Sequence, residues 1–311
     1  MGPDEVVACA RGMSVAQRQA GTGREQASLR VGNVAPVDAP AHPPFEARLP
    51  NGTVWRRHWA EAHRLVVDFL GVARVEVQDG SGTVVFDRPL SDQMEQHLLL
   101  DHVLPLVLAR AGEVVLHGGV VSRSGRAVVL IGSTGAGKST LTAFAGQRGW
   151  SIGGDDGAVL TATKPPSVEP TYATVRLTPA GAQLLGIAPD AGSAVLGKMR
   201  LEQPPLCRQS PVPLHLIALL QPVPAGAAAR WEPFVGVEAH ARLLSSTFHA
   251  DFSAEYLPTV VRTLGSIVDS VVVGRLNVPR GWNGLAEAED LLRALLAVSP
   301  VGPAPLHEAT R

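Results

Sequence analysis

The stretch Gly132-Ser133-Thr134-Gly135-Ala136-Gly137-Lys138-Ser139 matches the spacing G-x-x-x-x-G-K-[ST]. This pattern constrains the fold because its chemistry requires a buried strand before it and a helix after it. Both flanks comply. Ala127-Val128-Val129-Leu130-Ile131 is a continuous apolar run that reads as a buried strand. Residues 139–147 read as a short helix. In such a loop successive backbone N–H groups line a concave surface, and the helix N-terminus adds partial positive charge. Lys138 is then placed to reach outer phosphates, and Ser139 to bind Mg²⁺. Gly132, Ser133, Thr134, Gly135, Ala136, Gly137, Lys138, Ser139 and Thr140 form the candidate nucleotide site. The plainer alternative, a glycine-rich turn, accounts for neither flank. Lysine usage points the same way. Of 27 Lys and Arg residues only Lys138, Lys164 and Lys198 are lysines, and one stands where a compact ammonium suits a phosphate. The motif alone does not choose between kinase, ATPase and GTPase.

The 311 residues are 45% hydrophobic and 18% charged with a formal net charge of -1, the balance of a soluble chain with a substantial core. No Lys/Arg cluster points to a nucleic-acid partner. No apolar run approaches the ~18 residues of a membrane span, so no membrane partner is expected. The two cysteines, Cys9 and Cys207, make neither a metal spacing nor a disulfide framework, and a reducing cytoplasm fits. Val6-Val7-Ala8-Cys9 lacks the apolar stretch of a lipoprotein signal, and Val6 stands where an acylation signal wants Ser or Thr. Met1 and Met13 both remain open as the start.

Residues 1–44 lack periodicity and read as a disordered tail. Residues 45–100 read as a small β-rich region, with strands over 64–70 and 73–78, a turn over 79–82 and a strand over 83–86. Residues 101–298 read as the nucleotide-binding domain, and 299–311 as a tail. Residues 91–111 are helical, with Pro105 expected to kink or split the helix. A strand over 113–117 continues through 118–122 towards the loop strand. Beyond the loop helix, strands are expected over 158–162, 174–177, 214–220 and 270–276, and helices over 179–185, 238–248, 253–266 and 285–298. Residues 188–209 and 222–228 read as loops. The chain contains no internal repeat.

A site for magnesium nucleotide needs carboxylates near the metal. Asp155-Asp156 follow the loop helix behind Gly153-Gly154, where a returning chain brings them back towards the phosphates. One carboxylate can bind Mg²⁺ and the other can accept a proton from an attacking hydroxyl. An Asp-Asp-Gly triplet by itself is most often a turn. His117 ends an apolar strand before Gly118-Gly119, at the sheet edge where ligands bind in α/β folds. No histidine pair has the H-x-x-x-H spacing that puts two metal ligands on one helix face.

Taken in order, Leu116-His117-Gly118, the glycine loop, Gln147-Arg148-Gly149-Trp150 and Asp155-Asp156 resemble the nucleotide core of HPr kinase/phosphorylase and its HPr-kinase-related relatives. The resemblance spans residues 112–160. It extends loosely through Val175-Arg176-Leu177-Thr178-Pro179, Gly197-Lys198 and Pro213-Leu214. It implies an α/β fold with the P-loop core of the HPr kinase and phosphoenolpyruvate carboxykinase type, after a small β-rich N-terminal region. It implies transfer of phosphate from ATP, with Mg²⁺, to a serine hydroxyl. Asp155 carries over as the base, Asp156 and Ser139 as metal ligands, and Lys138 and His117 as catalytic residues beside the phosphates. Thr134 replaces the family's loop serine, and Gly154 replaces an alanine before the acidic pair. The parent family's later Glu-Ile-Arg-Gly segment is missing; Arg176 is the candidate for its arginine, without the preceding glutamate. That segment serves the protein substrate and phosphorolysis, so its loss argues against both HPr as acceptor and a phosphorylase activity. Relatives of this shape in peptide natural-product pathways phosphorylate a precursor peptide, which makes a peptide serine an acceptor by analogy.

Three functions follow in order of preference. The first is a kinase acting on a hydroxyl-bearing protein or peptide, with Arg176, Lys198 or Arg200 orienting the acceptor or the transferred group. The second is a module that binds ATP or ADP as a regulatory ligand; the paired aspartates argue against it, since mere binding needs no base. The third is a plain NTPase, for which no water-orienting glutamate or arginine finger is evident. The acceptor and the oligomeric state stay open.

Overall fold

The structure, a computed structural model, describes residues 28–31, 38, 40, 44–48, 51–61, 64–78, 81–170, 175–188, 194–195, 197–201, 211–248 and 257–298. Its contacts divide the chain into two compact units. The first comprises residues 1–115 and 248–260, the second 116–247 and 261–311.

The first unit is built on a six-stranded sheet. Its strands are β1 (Ser28–Val31), β2 (Phe45–Arg48), β3 (Val54–Ala60), β4 (Arg64–Phe69), β5 (Ala73–Gln78) and β6 (Ser81–Phe86), in spatial order β1-β6-β5-β4-β3-β2. β2 to β6 form an antiparallel meander, and β1 joins in parallel with β6. β1 falls in the expected tail: four residues, Ser28–Val31, are too few to show periodicity. Ser81 and Gly82 belong to β6 rather than to the expected turn, since they pair with Gln78 and Val77. Leu65, Val67 and Phe69 alternate along β4, and all are buried. Val66 faces the other way and packs with Trp59 and Val85.

A helical run follows as α1 (Asp92–His97), a π-helical stretch (Leu98–Val103) and α2 (Leu104–Arg110). Ser91 caps the start by accepting from the Met94 amide. The expected disturbance at Pro105 takes the form of this π stretch. Proline offers no N–H to the Asp101 carbonyl, and the Leu104 amide bonds back to Leu99.

The second unit contains a mixed sheet with helices packed on it. Before it, β7 (Val114–Leu116) leads into His117. Its strands include β8 (Gly118–Arg123), β9 (Arg126–Ile131), β10 (Ser151–Gly154), β11 (Ala158–Thr161), β12 (Ser167–Pro170), β16 (Val212–Val223), β17 (Arg230–Pro233) and β18 (Val272–Pro279). The centre runs β10-β8-β9-β16-β18, with β9, β16 and β18 parallel. β9 is buried from Ala127 to Ile131, as a central strand covered on both faces must be. β16 runs longer than expected because Pro213 and Pro222 sit near its ends, where a missing N–H costs least. β17 lies where the sequence pattern predicts no strand; Trp231 holds it against β18, where a Cβ on Gly274 would lie 2.4 Å from the indole.

The helices are α3 (Lys138–Gln147), α4 (Pro179–Leu184), α5 (Gly236–Leu244), α6 (Leu257–Val268) and α7 (Trp282–Ala297). Leu141, Phe144 and Ala145 of α3 share a core with Leu130, Ala218 and Leu276 of the sheet and Leu285, Ala288 and Leu292 of α7. The expected loop over 188–209 contains strand instead. β13 (Arg176–Leu177), β14 (Ala194–Val195) and β15 (Lys198–Arg200) form a small sheet in the order β13-β15-β14. Two- and three-residue strands are too short to leave a period in the sequence.

Candidate functional site

Strand direction brings the site together. β8 is antiparallel to β9, and β10 is antiparallel to β8, so β9 and β10 run the same way. The glycine loop after Ile131 and the acidic pair after Gly154 therefore leave the sheet at one edge. The loop turns through positive φ at Gly132 (147°), Gly135 (83°) and Gly137 (95°). Gly132 also permits close approach, since a Cβ there would lie 3.1 Å from the Leu220 carbonyl oxygen of β16. Ser133, Thr134 and Gly135 are exposed, whereas Ala136 is buried. Thr140 is half-buried, its hydroxyl 3.1 Å from where a Cβ on Gly181 of α4 would stand. Lys138 opens α3 and is 7% exposed. Its ammonium donates to the Gly132 and Ser133 carbonyls at 2.7 and 3.3 Å, which holds the cation against the loop. Burial lowers its pKa, against the pull of Asp156 and Asp155.

β10 carries a register shift between Ile152 and Gly154, immediately before the acids. Such bulges re-aim the residues that follow. Asp155 is 2% exposed and Asp156 9%. Asp155 Oδ2 accepts from the Arg176 amide at 3.2 Å, and among the described residues its Oδ1 has no hydrogen-bond partner. Burial, and then the charge of Asp156, raise the Asp155 carboxyl to about 7. The Ser139 hydroxyl and the Arg176 amide, which favour the charged form, oppose this, as does the charge of Lys198. Asp156 Oδ2 accepts from the Arg176 guanidinium at 3.5 Å. A single residue thus contacts both carboxylates, one through its backbone and one through its side chain.

His117 lies between β7 and β8 with its Nδ1 3.2 Å from the Asp156 carbonyl oxygen. Burial and the charge of Lys138 lower its pKa, so it is neutral at pH 7. Lys198, half-buried on β15, acts electrostatically on His117, Lys138 and Asp155. The structure therefore gathers Lys138, Ser139, Asp155, Asp156, His117, Arg176 and Lys198 into one cluster. Arg200 sits opposite Arg176 in the antiparallel register of β15 and β13. Thr142 is not among the residues that the sequence pattern marks. It is fully buried, its hydroxyl has no partner among the described residues, and a Cβ on Gly119 would come within 2.5 Å of it. A polar residue one turn beyond Lys138, on the buried face of a short apolar helix, was the available signal.

Among the described residues no three His, Cys, Asp or Glu side chains group as a metal cage. Mg²⁺ is usually held by one or two protein oxygens together with substrate phosphates. Ser139 and Asp156, beside the unsatisfied oxygen of Asp155, fit such an ion. No helix of the described residues is long and apolar enough to cross a membrane.

Fold and site define a mixed α/β protein with a glycine loop and a buried acidic pair at one sheet edge. Among solved structures, the Hpr(Ser) kinase/phosphatase from Coxiella burnetii is similar with a TM-score of 0.32 and 13% identity, over 59% of this chain and 96% of that one. No family model matches the chain, and no curated protein matches it.

Proposed function

We propose that this protein is an ATP-dependent kinase that transfers a phosphate to a serine or similar hydroxyl on a protein or peptide. The observation that carries the reading is Asp155. It is a buried carboxyl raised to about 7, with one oxygen unsatisfied among the described residues, in the electrostatic reach of the loop lysine. A pKa near the working pH is what a general base needs, because the group is then both available and basic enough to take a hydroxyl proton. Desolvating a carboxylate is costly, so purely structural positions seldom keep one in this state.

The remaining residues take roles that follow from their contacts. Lys138, already held to the loop carbonyls, offers a fixed positive charge to the transferred group. Arg176 holds the two carboxylates apart and in orientation. Neutral His117 leaves the Asp156 backbone pinned without adding a charge. Lys198 adds a second cation towards the phosphates. Ser139 and Asp156 would hold Mg²⁺, which when bound screens the charge of the outer phosphates. Asp155 accepts the acceptor proton as the hydroxyl oxygen bonds to the terminal phosphorus; the bond from that phosphorus to the bridging oxygen breaks, and ADP leaves.

The test is transfer of labelled γ-phosphate from ATP to a serine-containing peptide library and to fractionated cell protein. Lys138→Ala is expected to abolish labelling. Asp155→Asn is expected to lower turnover by about 10²–10⁴-fold, the usual worth of a positioned base. Nucleotide binding without any labelled acceptor would favour the regulatory module instead, and full turnover in Asp155→Asn would remove the base assignment.

A further inference from the structure

We propose that a cleft between the loop after β16 and the start of α7 receives the base and sugar of the nucleotide. The proposal rests on the phosphoryl-transfer reading above and names the nucleoside site that reading lacks. The sheet order supplies its direction. The acidic pair lies on the β8 and β10 side of the glycine loop, so the reacting end of a phosphate chain points to that side. The nucleoside end must then leave over β16 and β18. Neighbouring strands are about 4.8 Å apart, which puts β18 roughly 10 Å from β9. That is a reach on the scale of a triphosphate and sugar.

The cleft lies at that place. Its volume is about 340 Å³, and Ala225, Gly226, Ala227, Arg280, Trp282 and Glu287 line it. This falls at the lower end of the range of small-molecule sites, roughly 300–1,000 Å³. Its walls are tied together: the Arg280 amide donates to the Val223 carbonyl at 3.1 Å, and Glu287 accepts from the Ala229 amide at 3.2 Å. Trp282 is 47% exposed, an unusual state for the largest apolar side chain. Its ring meets Phe144 edge-on, with centroids 4.9 Å apart and planes at 78°. Phe144 belongs to α3, the helix that begins at Lys138. The indole is thus anchored to the phosphate-side helix and still open to a stacking partner. The Ala and Gly wall adds backbone groups without bulk, and Arg280 adds an exposed cation.

Calorimetric titration of the full chain with magnesium ATP and with inorganic tripolyphosphate tests the assignment. Wild type is expected to bind ATP more tightly than tripolyphosphate. Trp282→Ala should weaken ATP about tenfold, within the range of one lost base stack, and leave tripolyphosphate unchanged. Ala225→Trp fills the cleft without deleting a contact and should do the same. Lys138→Ala should weaken both ligands. If both cleft variants keep the wild-type ratio of the two affinities, or weaken both ligands equally, the cleft is not the nucleoside site, while the phosphate site stands on Lys138. If wild type binds neither ligand, the kinase reading fails and this assignment with it.

Discussion

Replacing Asp155 by asparagine should stabilise the protein while disabling it, and the gain should depend on pH. In the folded chain this carboxyl titrates at about 7, against an ordinary 3.8. A raised value means that the folded state holds the proton more tightly than the unfolded state. This group's contribution to stability is therefore complete below the unfolded value and is lost as pH rises through the folded one. Between pH 5 and 7 the loss is about 3 kcal/mol at most, from about 1.4 kcal/mol per pH interval. The substituted amide would keep an oxygen for the Arg176 N–H and never ionise. In metal-free buffer, Asp155→Asn should therefore gain about 2–3 kcal/mol more, relative to wild type, at pH 8 than at pH 5. For a unit of this size that is roughly 4–12 °C in Tm. Calorimetry or urea unfolding at the two pH values reads this directly. Equal effects at both would show that Asp155 is ionised throughout, and its fitness as a base near neutral pH would go with that.

Two further substitutions probe the scaffold beneath the site. Glu289 is fully buried on α7 and accepts from the Trp150 indole at 2.5 Å and from Arg293 at 2.6 Å. Glu289→Ala should cost about 3 kcal/mol by stranding a buried donor, and Glu289→Gln distinctly less, as measured by denaturant unfolding. At Gly118 a Cβ would stand 2.6 Å from the Leu130 carbonyl oxygen, so Gly118→Ala should push β8 off β9. The expected cost is about 1–3 kcal/mol, and a Tm within a degree of wild type would contradict the close approach.

Legibility in the sequence followed interaction range. The glycine loop, its strand and its helix are local, and the helix observed at Lys138–Gln147 differs from the expected one by a single residue. The strands at 64–69, 73–78 and 272–279 carry apolar patterns of their own, so they too could be read. Ser28–Val31, β15 and β17 could not, because pairing with distant strands and not their composition makes them strands; β14, two residues long, leaves no period to read. Lys198 illustrates the cost. In the sequence it sits in a loop among Gly and Ala, and only the pairing of β15 with β13 carries it near Asp155.

By itself the sequence determined the chemical inventory: a phosphate-type loop, two adjacent acids, a histidine beside paired glycines and a handful of basic residues. Only the tertiary structure decided which of these share one dielectric environment. Asp155 is an ordinary carboxylate in the written chain. It becomes a group that titrates at about 7 because two antiparallel pairings return β10 to the edge of β9, and a bulge then buries its side chain beside Asp156. Electrostatic character depends on distance and burial, and neither is a property of neighbours in sequence.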